Sequence, residues 1–418
     1  MSATAPAPVE GGPGAPVVAA PGGESLPEYA RRWWAGVKAG DLGSLPIIVG
    51  LILIAIIFQS QNSNFLTAGN FVNLIVQAAA ITTIGMGIVF VLLLGEIDLS
   101  VGFVSGVAGV VTALLTLPDN SNVFAAGPTM VVVLLVGLAI GTLHGLIITK
   151  VGIPSFVVTL AGLLGWNGVV LLLIGDRGTV IIQNSFFVGF ANDFLPSATA
   201  WIVAVVGIAL YAAMLFWQRI QRTRHGLPSA PDALLLLRIA VLAIAVLVVV
   251  YVCNQDRGVP YVMLMLAGLF ILWTYVLNRT RFGRHVYAVG GNAEASRRAG
   301  ISVDNIKITC FAICSMMSAL GGIVLASRLR SVDTGAGGGS ILLYAIAAPV
   351  IGGTSLFGGR GNIKSAVLGA LVIASIDNGL GLLGLSSGTK FVITAGVLLL
   401  AVTVDSIARK GRASAGRA

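Results

Sequence analysis

The sequence predicts an all-α, polytopic integral membrane bundle, with about twelve helices near the ~20-residue spanning length and both termini cytoplasmic. Three observations predict it. Of 418 residues, 56% are hydrophobic and 10% charged, against about 25% charged in a soluble domain, and mean hydropathy is +0.97. The apolar residues gather into runs close to that spanning length. The basic residues are spread unevenly among the connections, as orientation in a membrane requires.

The chain opens with SATAPAPVEGGPGAPVVAAPGGESLPEY. This Pro-, Gly- and Ala-rich stretch cannot bury a core, so residues 1–44 read as a disordered cytoplasmic tail. It lacks the charged-then-apolar order of a signal peptide.

Apolar segments follow at 43–59, 71–94, 97–116, 128–149, 153–175, 197–217, 234–252, 259–278, 308–327, 341–357, 363–384 and 389–407. Lipid offers no partner to unpaired backbone groups, so each reads as helix. The first, seventh and tenth are short and read as tilted or re-entrant; ten or eleven spans with re-entrant pieces is the alternative count. Alternating sides from a cytoplasmic N-terminus places twenty of the 25 Lys and Arg inside and five outside, the bias that orients membrane proteins. The same bias accounts for the +9 net charge, which in a soluble protein would suggest nucleic acid; no nucleic-acid partner is expected. Residues 408–418 form a basic cytoplasmic tail.

Within the spans, Gly137, Gly141 and Gly145 stand at the spacing that lets helix backbones approach. Cys253, Cys310 and Cys314 show neither metal nor disulfide spacing and read as small buried residues. His144 reads as a packing residue rather than a proton carrier. The chain carries no H-E-x-x-H motif and no G-x-x-x-x-G-K-[ST] phosphate loop. The glycine-rich GGTSLFGGRGN reads as a tight turn. Transport, not catalysis, is the expectation.

The connection 279–307 is the most informative polar stretch. In NAEASRRAG, Asn292 suits an N-cap and Gly300 the C′ position. Glu294 falls in the first turn and Arg297 and Arg298 in the last, matching the helix dipole. Ala293, Ala295, Ser296 and Ala299 keep the helix slim. So short a helix is unstable alone. Either it lies on the membrane surface or it docks a cytoplasmic partner.

GEIDLSVG, residues 95–102, places Glu96 and Asp98 between apolar runs, where a charge costs roughly 2.5–3.5 kcal/mol at the centre of a span. Gly95 loosens the helix before them, and Asp98 or Ser100 suits the cap of the helix after them. In the simplest topology both acids lie at an inside turn, relieved by water and nearby Lys or Arg. Three readings stay open: Asp98 caps a helical hairpin; the acids face a cytoplasmic partner; or a broken helix brings Glu96 or Asp98 to a translocation path, as in other transporters. Asp377 and Asn378 pose the same choice between interhelical hydrogen bonds near the outer end of a span and lining a path.

GEIDLSVG, IPSFVVTLAGLLGWNGV (153–169), GRHVYAVGGNAEASRRAGI (283–301) and GGTSLFGGRGNIKSAVLGALVIASIDNGL (352–380) resemble the permease subunit of bacterial ABC importers for ribose, xylose and related monosaccharides. The likeness runs from about residue 45 to 405, and the extra length around 200–256 resembles the xylose-type branch. Two departures stand out: Glu96 replaces the second of two glycines common in the family, and His144 stands where asparagine is frequent. The resemblance implies a homodimer in the bacterial inner membrane. Two cytoplasmic ATPase domains would bind ATP and Mg, so no cofactor is expected in this chain. A periplasmic or lipid-anchored binding protein would deliver the sugar. Residues 292–300 would be the coupling helix. The rival reading is a secondary transporter that uses Glu96, Asp98 and Asp377 to exploit an ion gradient.

Overall fold

The computed structural model describes residues 31, 34, 43–118, 125–226, 232–397, 399 and 403. Both expected tails lie almost wholly outside the described residues. The chain divides into two compact units, Met1–Asp41 with Trp201–Val248, and Leu42–Ala200 with Val249–Ala418.

The second unit begins with α1 (Leu45–Gln61), α2 (Ala68–Leu93), α3 (Val101–Leu115), α4 (Ala126–Leu146) continued by a π-turn Ile147–Val151, and α5 (Ser155–Ile174). A short excursion follows: β1 (Thr179–Ile181), α6 (Ser185–Asn192) and β2 (Phe194–Leu195). The described residues of the first unit belong mostly to α7 (Ser197–Arg224) and α8 (Asp232–Asn254), whose facing ends carry the Arg219–Asp232 ion pair. The second unit resumes with β3 (Val259–Pro260), α9 (Tyr261–Arg279), α10 (Arg281–Gly291), α11 (Ala293–Arg298), α12 (Val303–Leu329), β4 (Ser331–Asp333), α13 (Ile341–Ile351) and α14 (Ile363–Leu382). Residues 387–397 are also helical.

Among the described residues, eight helices are long and apolar enough to cross a membrane: α2, α4, α5, α7, α8, α9, α12 and α14. This is an all-α polytopic membrane bundle. The apolar helices α1, α3 and α13 are shorter. One expectation needs correcting: the seventh segment is not short, since α8 runs 23 residues. The apolar run begins at residue 234, but the helix takes in Asp232 in its first turn and carries Arg238 within it, since a long basic side chain can reach out of an apolar stretch. The third segment is short instead, alongside the first and tenth, because its first residues belong to a turn.

The centre of the second unit is α12 against α2. Their apolar stretches are 72% and 83% buried, against 22% for α5. The predicted glycine strip explains how α4 joins them: Gly137, Gly141 and Gly145 all face α12, and a Cβ on Gly141 would sit 2.2 Å from the Phe311 carbonyl oxygen. Cys310 and Cys314 are buried in the same helix as free thiols.

The two ends of α12 are tied differently. At its C-terminal end β1 pairs antiparallel with β4, Val180 opposite Val332. The Ser327 hydroxyl accepts from the Ala191 amide at 2.9 Å, which docks α6. This excursion went unpredicted, because three-residue strands and an eight-residue helix fall below any readable period. At the N-terminal end of α12 lie α10, α11 and the turns described next.

Candidate functional site

The polar residues singled out by the sequence fall into two groups, near opposite ends of α2.

At the α12 N-terminal end, α10 starts where the Thr280 hydroxyl accepts from the Gly283 amide at 3.2 Å. Val286 and Val289 face the core while Arg281 and Arg284 are exposed, an amphipathic pattern. Tyr287 donates to the Gly361 carbonyl at 2.8 Å. Burial pushes the Tyr287 hydroxyl above its ordinary range, so it stays a donor. The last turn of α10 crosses the end of α2 backbone to backbone. A Cβ on Gly290 would sit 1.8 Å from the Leu93 carbonyl oxygen, and that oxygen accepts from the Gly359 amide at 2.8 Å. GGTSLFGGRGN is the turn that makes this crossing.

The short helix α11 forms where its caps predict. The Asn292 side chain accepts from the Ala295 amide at 2.9 Å. Gly300 has φ +83°, with Gly300 N donating to Arg297 O and Ile301 N to Ser296 O, both at 3.0 Å. This is the paired closure of a Schellman end. Ala293 and Ile301 pack on the core around Val303, and Ser296 is buried. Glu294 pairs with Arg297 at 3.4 Å and Arg298 at 3.2 Å, all well exposed.

The acidic turn begins with the same closure. Gly95 has φ +75°, its amide donates to Leu92 O at 2.9 Å and the Glu96 amide to Val91 O at 3.1 Å. Glu96 is then held by two partners: it forms an ion pair with Lys307 of α12, and its other carboxylate oxygen accepts from Ser155 of α5 at 2.5 Å. Asp98 is 2% exposed, with one oxygen accepting from both the Ser100 amide at 2.9 Å and the Ser100 hydroxyl at 2.6 Å. Asp98 thus fixes the turn at Ser100, the residue in the N-cap position of α3, whose own side chain makes no capping bond. Glu96 has the nearby lysine that was expected to relieve it, whereas Asp98 is buried rather than watered. Lys307 lies near the start of α12 while Cys314, beside Asp98, lies further in, so the two acids meet α12 at different depths.

From Asp98 a buried polar chain continues. The Ser100 hydroxyl lies 3.4 Å from His144 Nδ1, and Trp166 Nε1 donates to His144 Nε2 at 3.2 Å. Indole can only donate, so Nε2 is unprotonated and Nδ1 carries the hydrogen facing Ser100. His144 is a satisfied packing residue linking α3, α4 and α5.

The second group lies near the start of α2. Asn378 and Asn70 exchange side-chain amide hydrogen bonds, both at 2.9 Å, and Asn378 also donates to Gln77 at 3.3 Å. Asp377 is half-buried and in the field of Arg328. Gly95, Glu96, Asp98 and Ser100 thus form one turn beyond the end of α2, whereas Asp377 and Asn378 belong to the other group. Lys307 and Ser155 escaped sequence reasoning as partners of Glu96. The available signal was a lysine at the base of a long span whose inner end needed an acid.

Among the described residues no three His, Cys, Asp or Glu side chains gather as a metal site. What the arrangement offers is mechanical: a polar helix on the surface, continuous with a central span that is tied by charge to its neighbours.

The chain matches the family model described as the branched-chain amino acid transport system permease component over residues 70–229 and 232–403. It is 36% identical to the xylose transport system permease protein of Escherichia coli (strain K12) over 90% of this chain and 95% of that protein. The corresponding protein of Haemophilus influenzae is 35% identical over 88% and 98%. The ribose import permease protein of Escherichia coli (strain K12) is 32% identical over 90% and 97%. No solved structure matches the chain.

Proposed function

We propose a function from one premise: the chain belongs to the family of the branched-chain amino acid transport system permease component. It is a transport permease and not an enzyme, and the reading we favour is the membrane-spanning subunit of an ATP-driven sugar importer in the bacterial inner membrane. Its cargo is a monosaccharide, xylose or a related sugar. The observation that carries this is likeness over nearly the whole length to permeases for xylose and for ribose.

The finer reading has the chain cross the membrane twelve times, with both ends cytoplasmic. Eight long helices, the shorter α1, α3 and α13, and the helical stretch at 387–397 support that count. Two copies of the chain form the conduit. A cytoplasmic ATPase binds ATP and Mg and docks on α11, and a periplasmic or lipid-anchored protein delivers sugar. Support for the docking role comes from an energetic mismatch. The Glu294 pairs are exposed i,i+3 and i,i+4 contacts worth about 0.3–0.5 kcal/mol each, too little to justify a charged helix on structural grounds. A surface of both signs on a slim, doubly capped rod suits a partner's groove. ATP then favours one docked arrangement and so biases the membrane part.

The rival ion-gradient mechanism would gather Glu96, Asp98 and Asp377, yet Glu96 pairs beyond the end of α2 while Asn378, next to Asp377, pairs near its start. The family description supplies a second cargo, a branched-chain amino acid. Uptake into vesicles containing the chain, its ATPase and its binding protein separates the two. ATP-dependent uptake of labelled xylose or ribose, unaffected by leucine, is the expected result; uptake of leucine and of no sugar would overturn the cargo assignment.

A further inference from the structure

We infer that Glu96 is a positioning residue for coupling: its carboxylate, gripped by Lys307 and Ser155, carries movement of α11 into the α3–α5 part of the bundle. The inference rests on reading α11 as the ATPase-docking helix.

The path is continuous. From α11 the chain closes through Gly300 and Ile301 directly into α12, with Ile301 and Val303 packed in the core. No loose linker absorbs a displacement of α11, so the first turns of α12 must follow it. Two charged side chains leave those turns. Asp304 meets Lys150 beyond the end of α4 at 2.9 Å, with side chains 37% and 59% exposed. Lys307 meets Glu96, with side chains 24% and 17% exposed. Water and salt screen the first pair; the second is shielded and therefore stiffer.

Glu96 then passes the motion on. Its second oxygen accepts from Ser155 at the first turn of α5, and one turn later Thr159 donates to the Ile97 carbonyl at 3.3 Å. Two residues beyond Glu96, Asp98 holds Ser100 just before α3 and opens the chain to His144 and Trp166. A glycine in place of Glu96 would leave the turn without this handle on α12. The side chain thus does what neither cap nor core contact does: it ties a turn between two spans to the span that continues the docking helix.

The test uses the full complex of permease, ATPase and binding protein in liposomes, measuring sugar taken up per ATP hydrolysed. In E96Q and in K307M this ratio is expected to fall at least ten-fold, while ATPase co-purification and sugar-binding-protein affinity stay native. Because the two residues act as one unit, E96Q/K307M should be no worse than either single variant, and the swapped pair E96K/K307E should recover part of the ratio. An unchanged ratio, or losses that multiply in the double variant, overturns the inference. So does loss of ATPase co-purification in E96Q, which would make Glu96 part of the docking surface. Should E96Q fail to accumulate, the uncharged double variant carries the same measurement without an unpaired lysine. The docking role of α11 is tested separately: if Glu294→Lys leaves ATPase co-purification and uptake native, that reading fails, whatever E96Q does.

Discussion

The two ends of α2 hold polar side chains for different purposes. Near its start, Asn70, Gln77 and Asn378 form a neutral amide cluster, reciprocally bonded and largely buried. Beyond its end, Glu96 forms a half-buried ion pair with Lys307 and a hydrogen bond to Ser155. Amides satisfy each other at short range and lose everything when parted, so they clamp helices in one arrangement. An ion pair acts over a longer distance and survives small shifts, so it suits elements that must move together. On the inference drawn above, the amide end acts as a fixed joint and the charged end as a linkage.

The comparison can be broken by variants that separate activity from stability. The largest effect is expected at the charged end without loss of fold: Glu294→Lys should cut ATP-driven uptake at least ten-fold while the thermal midpoint stays within about 1 °C, since exposed pairs contribute only ~0–1 kcal/mol. A matching fall in thermal midpoint would make α11 merely structural. At the amide end the order reverses. Asn378→Leu leaves Asn70 and Gln77 short of partners and should cost ~1–2 kcal/mol of stability, read by thermal unfolding in detergent, with uptake per folded molecule nearly native. Asp98 sharpens the picture. Asp98→Asn keeps an oxygen for Ser100 and should cost little, whereas Asp98→Leu leaves the buried Ser100 amide and hydroxyl without their acceptor and should cost about 1 kcal/mol or more, measured the same way.

Tyr287→Phe gives the smallest effect. It removes one hydrogen bond to Gly361, worth about 1 kcal/mol. It also changes the alkaline limb. The folded state holds the Tyr287 proton more tightly than the unfolded chain does, so the unfolded chain loses it first as pH rises through about 10, and stability falls there. The phenylalanine variant should show a shallower fall above that pH in thermal unfolding; an identical slope would place the titration elsewhere.

Much of this was legible in the sequence where the cause is local. Gly95 and Gly300 mark helix ends because only glycine takes their positive φ cheaply, and both end in the same paired closure. Asn292 announces α11 by its side-chain oxygen, and the glycine strip of α4 announces a close neighbour. The identity of that neighbour was not legible. Lys307 lies 211 positions from Glu96 and Ser155 lies 59 away, and no period in the sequence encodes which helices pack. Asp98 and Glu96 look equivalent in GEIDLSVG, yet one is buried and bonded to Ser100 while the other is paired with a lysine nearer the surface. What separates them is the neighbour each meets on α12, Lys307 for Glu96 and Cys314 for Asp98.

The most direct test of the central claim, that α11 hands the work of a separate ATPase to a passive sugar gate, is uphill sugar uptake in liposomes with and without the partners. Accumulation is expected only when the chain, the ATPase, the binding protein and ATP are all present, and it should persist after a protonophore collapses the ion gradient. Accumulation by the chain alone, abolished by the protonophore while ATP remains, would contradict it.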